Sequence, residues 1–352
     1  MSGQQGKPTE TAMDLAALGE IVERFAGKRI VLFGDFVADQ FQFGEISRVS
    51  REAPVLILKH RGSNVVPGGG ANAANNLASL GAKVFPMTVV GDDAAGSELS
   101  EYFAKVGVDT SGVLRDKNWT TPTKTRFLAG WTHTVAQQVL RVDREPGQPP
   151  SEKSRERLAA KLDAKLKSAD GMAISDYGFG VVSPSAVAKA MRSMRTKSVT
   201  TLDARYKLDD YSGCGLTAAT PNEAELEALH RANIGRDIDE LTRCGRATIK
   251  KMALESLLIT RGKDGMALFE RNGKDLTQIP VHGSDQAVDV TGAGDSVLAA
   301  FTLALAAGAT ALEAAQIANI AGGLVVMKRG TATVSRAELL EAIRAEASGG
   351  AR

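Results

Sequence analysis

The 352 residues are enough for one large core, and 43 basic against 41 acidic side chains leave a net charge of only +2. That balance argues against wholesale attraction to nucleic acid or to a membrane surface, and no block of like charges stands out. Two cysteines, Cys214 and Cys244, have neither zinc-type spacing nor the density of a disulfide framework, which points to a reducing, cytoplasmic setting.

Met1 to Glu10 is polar and lacks the regions of a signal peptide, so 1–13 is expected to be a short disordered lead, with 347–352 as a flexible tail and one domain between. Asp14 to Ala26 is predicted helical, with Leu15, Leu18, Val22 and Phe25 on one face, and Arg29 to Phe33 is a buried strand ending at Gly34-Asp35. Further strands are predicted near 84–90, 171–175, 198–202, 217–220 and 256–260, with helices near 71–80, 94–106, 153–167, 184–194, 223–230 and 237–252. This alternation predicts an α/β fold in which a mostly parallel sheet is covered by helices on both faces and ligands bind outside the carboxyl ends of the strands.

Two stretches, 41–66 and 121–142, carry strands without intervening helices: Phe41 to Phe43, Val55 to Leu58, Thr123 to Phe127 and Val135 to Val142. They read either as a small separate β-sheet lid that would exclude water, or as extra edge strands of the main sheet. The run from Ser296 to Met327 is broken by a single acid, Glu313. Its Ala-rich composition and the turn at Gly308-Ala-Thr310 make it two buried helices rather than a membrane span.

Polar residues gather where strands end. Asp35 and Asp39, in Gly34-Asp-Phe-Val-Ala-Asp39, are expected to accept hydrogen bonds from sugar hydroxyls. Pro67-Gly-Gly-Gly-Ala-Asn72 opens a helix carrying Asn72, Asn75 and Asn76, and Gly69, Gly70 and Asn72 suit close approach of a polyhydroxyl ligand. A glycine turn with solvated amides explains that segment equally well. It also fits loosely a dinucleotide fingerprint, Gly68-x-Gly70-x-x-Ala73 followed by Asp92-Asp93, although the strand at Val55 to Leu58 is expected to lie a long connection away. A Walker-type P-loop is absent.

Asn222-Glu223, after an apolar strand, could hold Mg²⁺ through its water shell or simply cap a helix. Thr260-Arg-Gly262 and Asn319, which precedes Gly322-Gly323, could line a purine pocket or form structural turns and close packing. The segment Asp289-Val-Thr-Gly-Ala-Gly-Asp295 is the richest. The N–H groups of Gly292, Ala293 and Gly294 could cradle an anion, and Asp295 beside them could accept the proton of an attacking hydroxyl, the pairing that phosphoryl transfer to an alcohol needs. Taken alone, it reads as a tight turn with a helix cap.

In this order, from about Lys28 to about Leu340, these stretches resemble the PfkB, or ribokinase-like, family of carbohydrate kinases. The resemblance implies a three-layer α/β/α fold with a small β-sheet lid, and ATP-dependent phosphorylation of a sugar or sugar-phosphate hydroxyl. It places Asp295 as the base, Gly292, Ala293 and Gly294 as the anion hole, and Asp289 at the start of that signature. Asn222 and Glu223 fall on the Mg-nucleotide pair, with Glu223 at the metal; Asp39 and Asn72 fall on sugar positions, and Thr260, Gly262 and Asn319 on the nucleotide side. ATP and Mg²⁺ are the implied cofactors, a monovalent cation such as K⁺ is left open, and lids from two chains could pair into a homodimer. Within the family, Gly44 to Val55, Gln137 to Asp143, Ser175 to Gly178 and Lys328 to Val334 are similar to the D-glycero-β-D-manno-heptose 7-phosphate kinase group. That group often carries a second, nucleotidyl-transferring domain, which this sequence is expected to be too short to hold, so the resemblance implies a stand-alone kinase.

Departures from the group fall near the acceptor. Phe179 stands where Lys usually follows Asp-Tyr-Gly, Arg51 stands where Pro usually precedes Glu52-Ala-Pro54, and Ala204-Arg205 stands where Pro-Lys is common. Loss of a cation at 179 would remove a phosphate contact, and Arg205 could compensate. Lys124, Arg126, Arg141 and Arg144 are the other cations available to an acceptor phosphate, or are solvated lid charges. A PfkB-type kinase for another acceptor, a nicotinamide-dependent oxidoreductase and a non-catalytic sugar- or nucleotide-binding regulator remain as alternatives.

Overall fold

The computed structural model describes residues 13–131, 136–273, 275–283 and 286–349; the expected lead at 1–12, Val135 in the second lid stretch and tail residues 350–352 lie outside them. The strands are β1 (Arg29–Gly34), β2 (Phe36–Val49), β3 (Leu56–Gly69), β4 (Lys83–Gly91), β5 (Val113–Asp116), β6 (Thr123–Gly130) and β7 (Gln137–Arg144), then β8 (Gly171–Asp176), β9 (Val199–Ala204), β10 (Ala218–Ala219), β11 (Ser256–Thr260), β12 (Met266–Glu270) and β13 (Thr277–Ile279). The helices are α1 (Leu15–Glu23), α2 (Gly70–Ser79), α3 (Ala94–Lys105), α4 (Glu152–Leu166), α5 (Pro184–Met191), α6 (Glu223–His230), α7 (Ile238–Met252), α8 (Ala293–Ala306), α9 (Ala311–Val326) and α10 (Arg336–Ala347).

Nine strands form the main sheet in the order β13-β12-β11-β10-β9-β8-β1-β4-β5. Pairing is parallel from β11 to β5, while β12 and β13 add antiparallel at one edge. Successive side chains of a strand point to opposite faces, and β1 shows where each goes. Ile30 and Leu32 join the core beneath α1, α2, α3, α8, α9 and α10. Val31 and Phe33 join the core beneath α4, α5, α6 and α7. The result is the expected three-layer α/β/α arrangement with a mostly parallel sheet.

Differences from the sequence reading are local. Asp14 and Asp237 are not the first helical residues but N-caps, their carboxylates accepting from the N–H of Ala17 and Glu240. The strand expected at 217–220 shrinks to Ala218–Ala219, and β5, β12 and β13 are additional. Helix α8 is buried on every side from Asp295 to Ala304, and Thr310 caps α9 after the expected turn. Among the described residues no helix is long and apolar enough to cross a membrane.

The two helix-free stretches make their own four-stranded sheet, β3-β2-β6-β7, so the separate-lid reading holds over the edge-strand one. Only Asp35 separates β1 from β2, and one chain segment therefore passes from the core sheet into the lid. At the other end, β3 continues through Pro67-Gly68-Gly69 directly into α2, correcting the long connection expected before the glycines. Pro67 is tolerated because β3 is an edge strand. This strand pairs antiparallel with β2, whereas a dinucleotide-binding unit needs a parallel strand of the main sheet at that point.

Candidate active site

The carboxyl ends of β1, β8, β9 and β11, the start of α8 and one face of the lid converge on Asp295. Gly292 takes φ +78, and a Cβ there would lie 2.4 Å from Asn72 Nδ2, so the turn into α8 requires glycine. No side chain caps this helix start. The first-turn N–H groups of a helix lack intrahelical partners, and with the macrodipole they favour an anion. Ala293 N–H is a partial exception to the expected cradle, since it already donates to the Val290 carbonyl at 3.3 Å. Gly294 is exposed at the mouth of the turn.

Asp295 itself is only 3% exposed. Its Oδ2 accepts from Asn72 Nδ2 at 2.9 Å and its Oδ1 accepts from the Tyr177 hydroxyl at 3.1 Å. Burial pushes its pKa up to about 7 against those two hydrogen bonds, with Asp39 adding to the rise and Lys124 opposing it. A carboxylate balanced near neutrality is matched to general-base work. Asn72 is in turn held by Asn76, whose Nδ2 donates to Asn72 Oδ1 at 3.2 Å and whose Oδ1 accepts from Ser296. Asn75 points elsewhere, to the Tyr102 hydroxyl.

Of the two acids expected to meet sugar hydroxyls, Asp35 is corrected. It is fully buried, and its oxygens accept the backbone N–H groups of Tyr177, Phe179 and Val181 at 2.9, 3.0 and 3.1 Å. Burial, and then the nearby Asp176, raises its pKa to about 7. It braces the turn after β8 instead of facing a ligand. Asp39, in β2, reaches the site, where it pairs with Arg126 at 2.7 Å and accepts from the Thr331 hydroxyl. Gly68 passes so close that a Cβ would lie 2.6 Å from Asp39 Oδ2, while Gly69, at φ +55, lies against the Tyr177 ring, and Gly70 N–H donates to Asp35 O.

The Asn222-Glu223 pair is also corrected. Asn222 caps α6 in a reciprocal box with Glu225, each accepting the other's backbone N–H. Glu223 Oε2 accepts from Arg261 Nε at 2.5 Å and is drawn to that guanidinium. The acid that does face the α8 turn is Asp203, whose Oδ2 would lie 3.8 Å from a Cβ on Gly294, with the charge of Glu225 beside it. Burial raises the pKa of both, and Asp203 rises well above the usual carboxylate range because Glu225, Asp295 and Asp176 add their charges. Two half-buried carboxylates close enough to raise each other's charge cost are a donor set suited to a divalent cation. Among the described residues no three His, Cys, Asp or Glu side chains converge as a metal-ligating group.

Two cavities flank Asp295. One, of about 190 Å³, is lined by Thr260, Gly262, Val290, Gly294, Asn319 and Val326 among others, so the residues expected on the nucleotide side share one mostly apolar space with the α8 turn. Asn319 Nδ2 donates to the Pro280 carbonyl at its edge. Asp289 sits below, its carboxylate held under the usual range, despite burial, by the Thr291 and Gly330 N–H groups. The other cavity, of about 170 Å³, is lined by Lys124, Arg141, Asp143, Tyr177, Phe179 and Arg205 among others. Arg141 forks onto Asp143 at 2.7 and 2.5 Å. The Lys124 ammonium lies 5.4 Å over the Tyr177 ring, and burial lowers its pKa, with Arg205 and Arg141 contributing.

Sequence reasoning missed Tyr177, Asp203 and Glu225. The i to i+3 spacing of Asn222 and Glu225 was available, although it signals a capping box; Asp203, closing a buried strand, was available as a strand-end acid.

Comparison with known proteins agrees with this geometry. Residues 28–338 match the model of the pfkB family carbohydrate kinases. The Bifunctional protein HldE of Pelobacter propionicus is 35% identical over 94% of this chain, and that of Geobacter metallireducens 39% identical over 88%. The chain spans 66% and 62% of those relatives' lengths. Among solved structures, Escherichia coli phosphofructokinase-2 in complex with potassium superposes with a TM-score of 0.73 at 18% identity, covering 90% of this chain and 98% of that one. Arabidopsis thaliana ribokinase complexed with ribose and ATP gives 0.67 at 19% identity, covering 91% and 99%. With a buried carboxylate at an uncapped helix start, a lid sheet above it and a family match across most of its length, the chain belongs to the pfkB family of carbohydrate kinases.

Proposed function

We propose that the protein transfers the γ-phosphoryl group of ATP to a hydroxyl of a phosphorylated sugar, D-glycero-β-D-manno-heptose 7-phosphate, giving the 1,7-bisphosphate in the cytoplasm. The observation that carries this reading is the position of Asp295 between an apolar cavity bounded by Gly294 and a second cavity bearing Lys124, Arg141 and Arg205. Asp295 takes the proton of the anomeric hydroxyl, and the open N–H groups at the start of α8 stabilise charge on the transferring group. Asp39, Gly69, Gly70 and Asn72 position the sugar. The three cations receive the acceptor phosphate, with Arg205 supplying the charge that Phe179 lacks. Asp203 and Glu225 hold Mg²⁺, which when bound neutralises and orients the nucleotide phosphates. The lid excludes water from the transfer.

A panel of acceptors scored by ADP formation tests the reading. Heptose 7-phosphate should exceed ribose, fructose, fructose 6-phosphate and nucleosides in kcat/KM, by about 100-fold over unphosphorylated sugars, and Lys124→Ala should erase most of that preference. Equal use of free sugars would overturn the sugar-phosphate assignment. The lid is also where two copies should meet. Leu140 and Val142 share one face of β7, the edge strand that pairs with β6, and are 55% and 50% exposed. Leu140→Glu should convert a dimer to a monomer by light scattering, and an unchanged mass would remove the lid from assembly.

A further inference from the structure

The turn after β8 is anchored more heavily than a surface turn requires. Four consecutive positions or near neighbours are fixed: the N–H groups of Tyr177, Phe179 and Val181 donate to buried Asp35, and that of Gly178 donates to Asp176 Oδ1 at 2.8 Å. Asp176 Oδ2 accepts from the Tyr211 hydroxyl at 2.5 Å. Gly178 and Gly180 adopt φ +81 and +89, so the chain is bent sharply on both sides of Phe179. This anchoring directs one side chain inward. The Tyr177 ring is wedged between Gly69, where a Cβ would lie 3.2 Å from Cε2, and the Lys124 ammonium, and its hydroxyl ends 3.1 Å from Asp295 Oδ1.

Asp295 therefore carries one neutral donor on each oxygen, Asn72 on Oδ2 and Tyr177 on Oδ1. The charged groups around it are Asp39 from β2, Lys124 from β6 and Asp203 from β9. A hydrogen bond donated to a carboxylate favours its ionised form, and two fixed donors also hold the carboxylate in one rotation. We propose that Tyr177 is a positioning residue for the phosphoryl transfer, its hydroxyl orienting the Asp295 carboxylate through a hydrogen bond to Oδ1, with the Asp35-anchored turn serving to deliver that hydroxyl. The inference rests on Asp295 being the base, which Asp295→Asn tests separately. A phenol suits this role because burial and the surrounding acids hold its own pKa well above the usual value, so it donates throughout the working range.

Tyr177→Phe removes one oxygen and leaves the ring against Gly69. The acid limb of the kcat/KM profile for the acceptor should move to higher pH by about one unit, which is a roughly tenfold loss below neutrality that closes to within about threefold at pH 9. KM for ATP should not change. A merely structural role would lower the rate by one factor at every pH, and that outcome, or an unmoved acid limb, overturns the proposal. A second measurement needs neither turnover nor the variant. In wild-type enzyme labelled with ¹³C at aspartate carboxyl and tyrosine ζ carbons, the Tyr177 and Asp295 signals should shift with a common midpoint, and a Tyr177 signal unresponsive to that titration overturns it as well.

Discussion

Asp295→Asn should lower kcat by roughly 10⁴-fold while leaving nucleotide binding intact. The amide cannot accept a proton at any pH, so the loss should persist across the profile, unlike that of Tyr177→Phe. Nucleotide binding should survive because the apolar cavity is walled by Thr260, Gly262, Asn319 and Val326, with Asp295 outside its lining. The same substitution has an opposite effect on stability. The Asp295 pKa is raised from 3.8 to about 7 by folding, so between about pH 4 and 7 the folded state keeps a proton that the unfolded chain gives up. Its contribution to stability therefore falls as pH rises through that window and is lowest above 7. The amide variant escapes this cost. Asn72 can still donate to the amide oxygen, and the Tyr177 hydroxyl can turn to accept from the new NH₂. At pH 8 its thermal midpoint should exceed that of the wild type, with the gap narrowing as pH falls through 7 towards 4. ADP-release kinetics, titration with a fluorescent ATP analogue and thermal scans at two pH values check all three. Near-normal turnover would remove Asp295 from the role of base; a lower midpoint at pH 8 would show that its ionised form is not a burden on the fold.

What could be read from sequence was local. The glycine turn and Asp295 are adjacent in the chain, and the apolar strands needed no partner to announce burial. Lid and core sheet were separable because the helix-free stretches stood out against the β–α alternation. What could not be read depends on distant segments. Asp35 looked like a ligand-facing acid at a strand end, and only the turn at 177–181, far along the chain, closes over it. The Pro67-Gly68-Gly69 run reads as a turn because proline and glycine weaken strands, whereas here they finish an edge strand. Tyr177 stands in the Asp-Tyr-Gly run, but nothing in that run gives the tyrosine a role; its meaning lies in a hydrogen bond to a residue that the fold brings from far along the chain.

Glu225→Gln should raise the Mg²⁺ concentration for half-maximal rate and lower kcat by roughly 100-fold, whereas Glu223→Gln should change either value by no more than about threefold. Successive helical residues turn by about 100°, so side chains two positions apart in the first turn of α6 leave on opposite sides. Glu223 goes to Arg261, whose Nη2 also donates to the Gly235 carbonyl at 2.9 Å, making a brace that ties α6 to the loop before α7. Glu225 goes towards Asp203, which lies under Gly294, where a Cβ would sit 3.8 Å from Asp203 Oδ2. Losing one charge of that pair weakens attraction for a cation held mainly through water, and Asp203→Asn should act in the same direction. The objection that Glu225→Gln merely loosens the helix does not hold, because a glutamine can still accept the Asn222 N–H in the capping box. The helix start is retained and only the charge is removed, so a changed Mg²⁺ dependence reports the charge. An unchanged dependence in Glu225→Gln, or a larger loss in Glu223→Gln, would return the metal to the pair at 222–223.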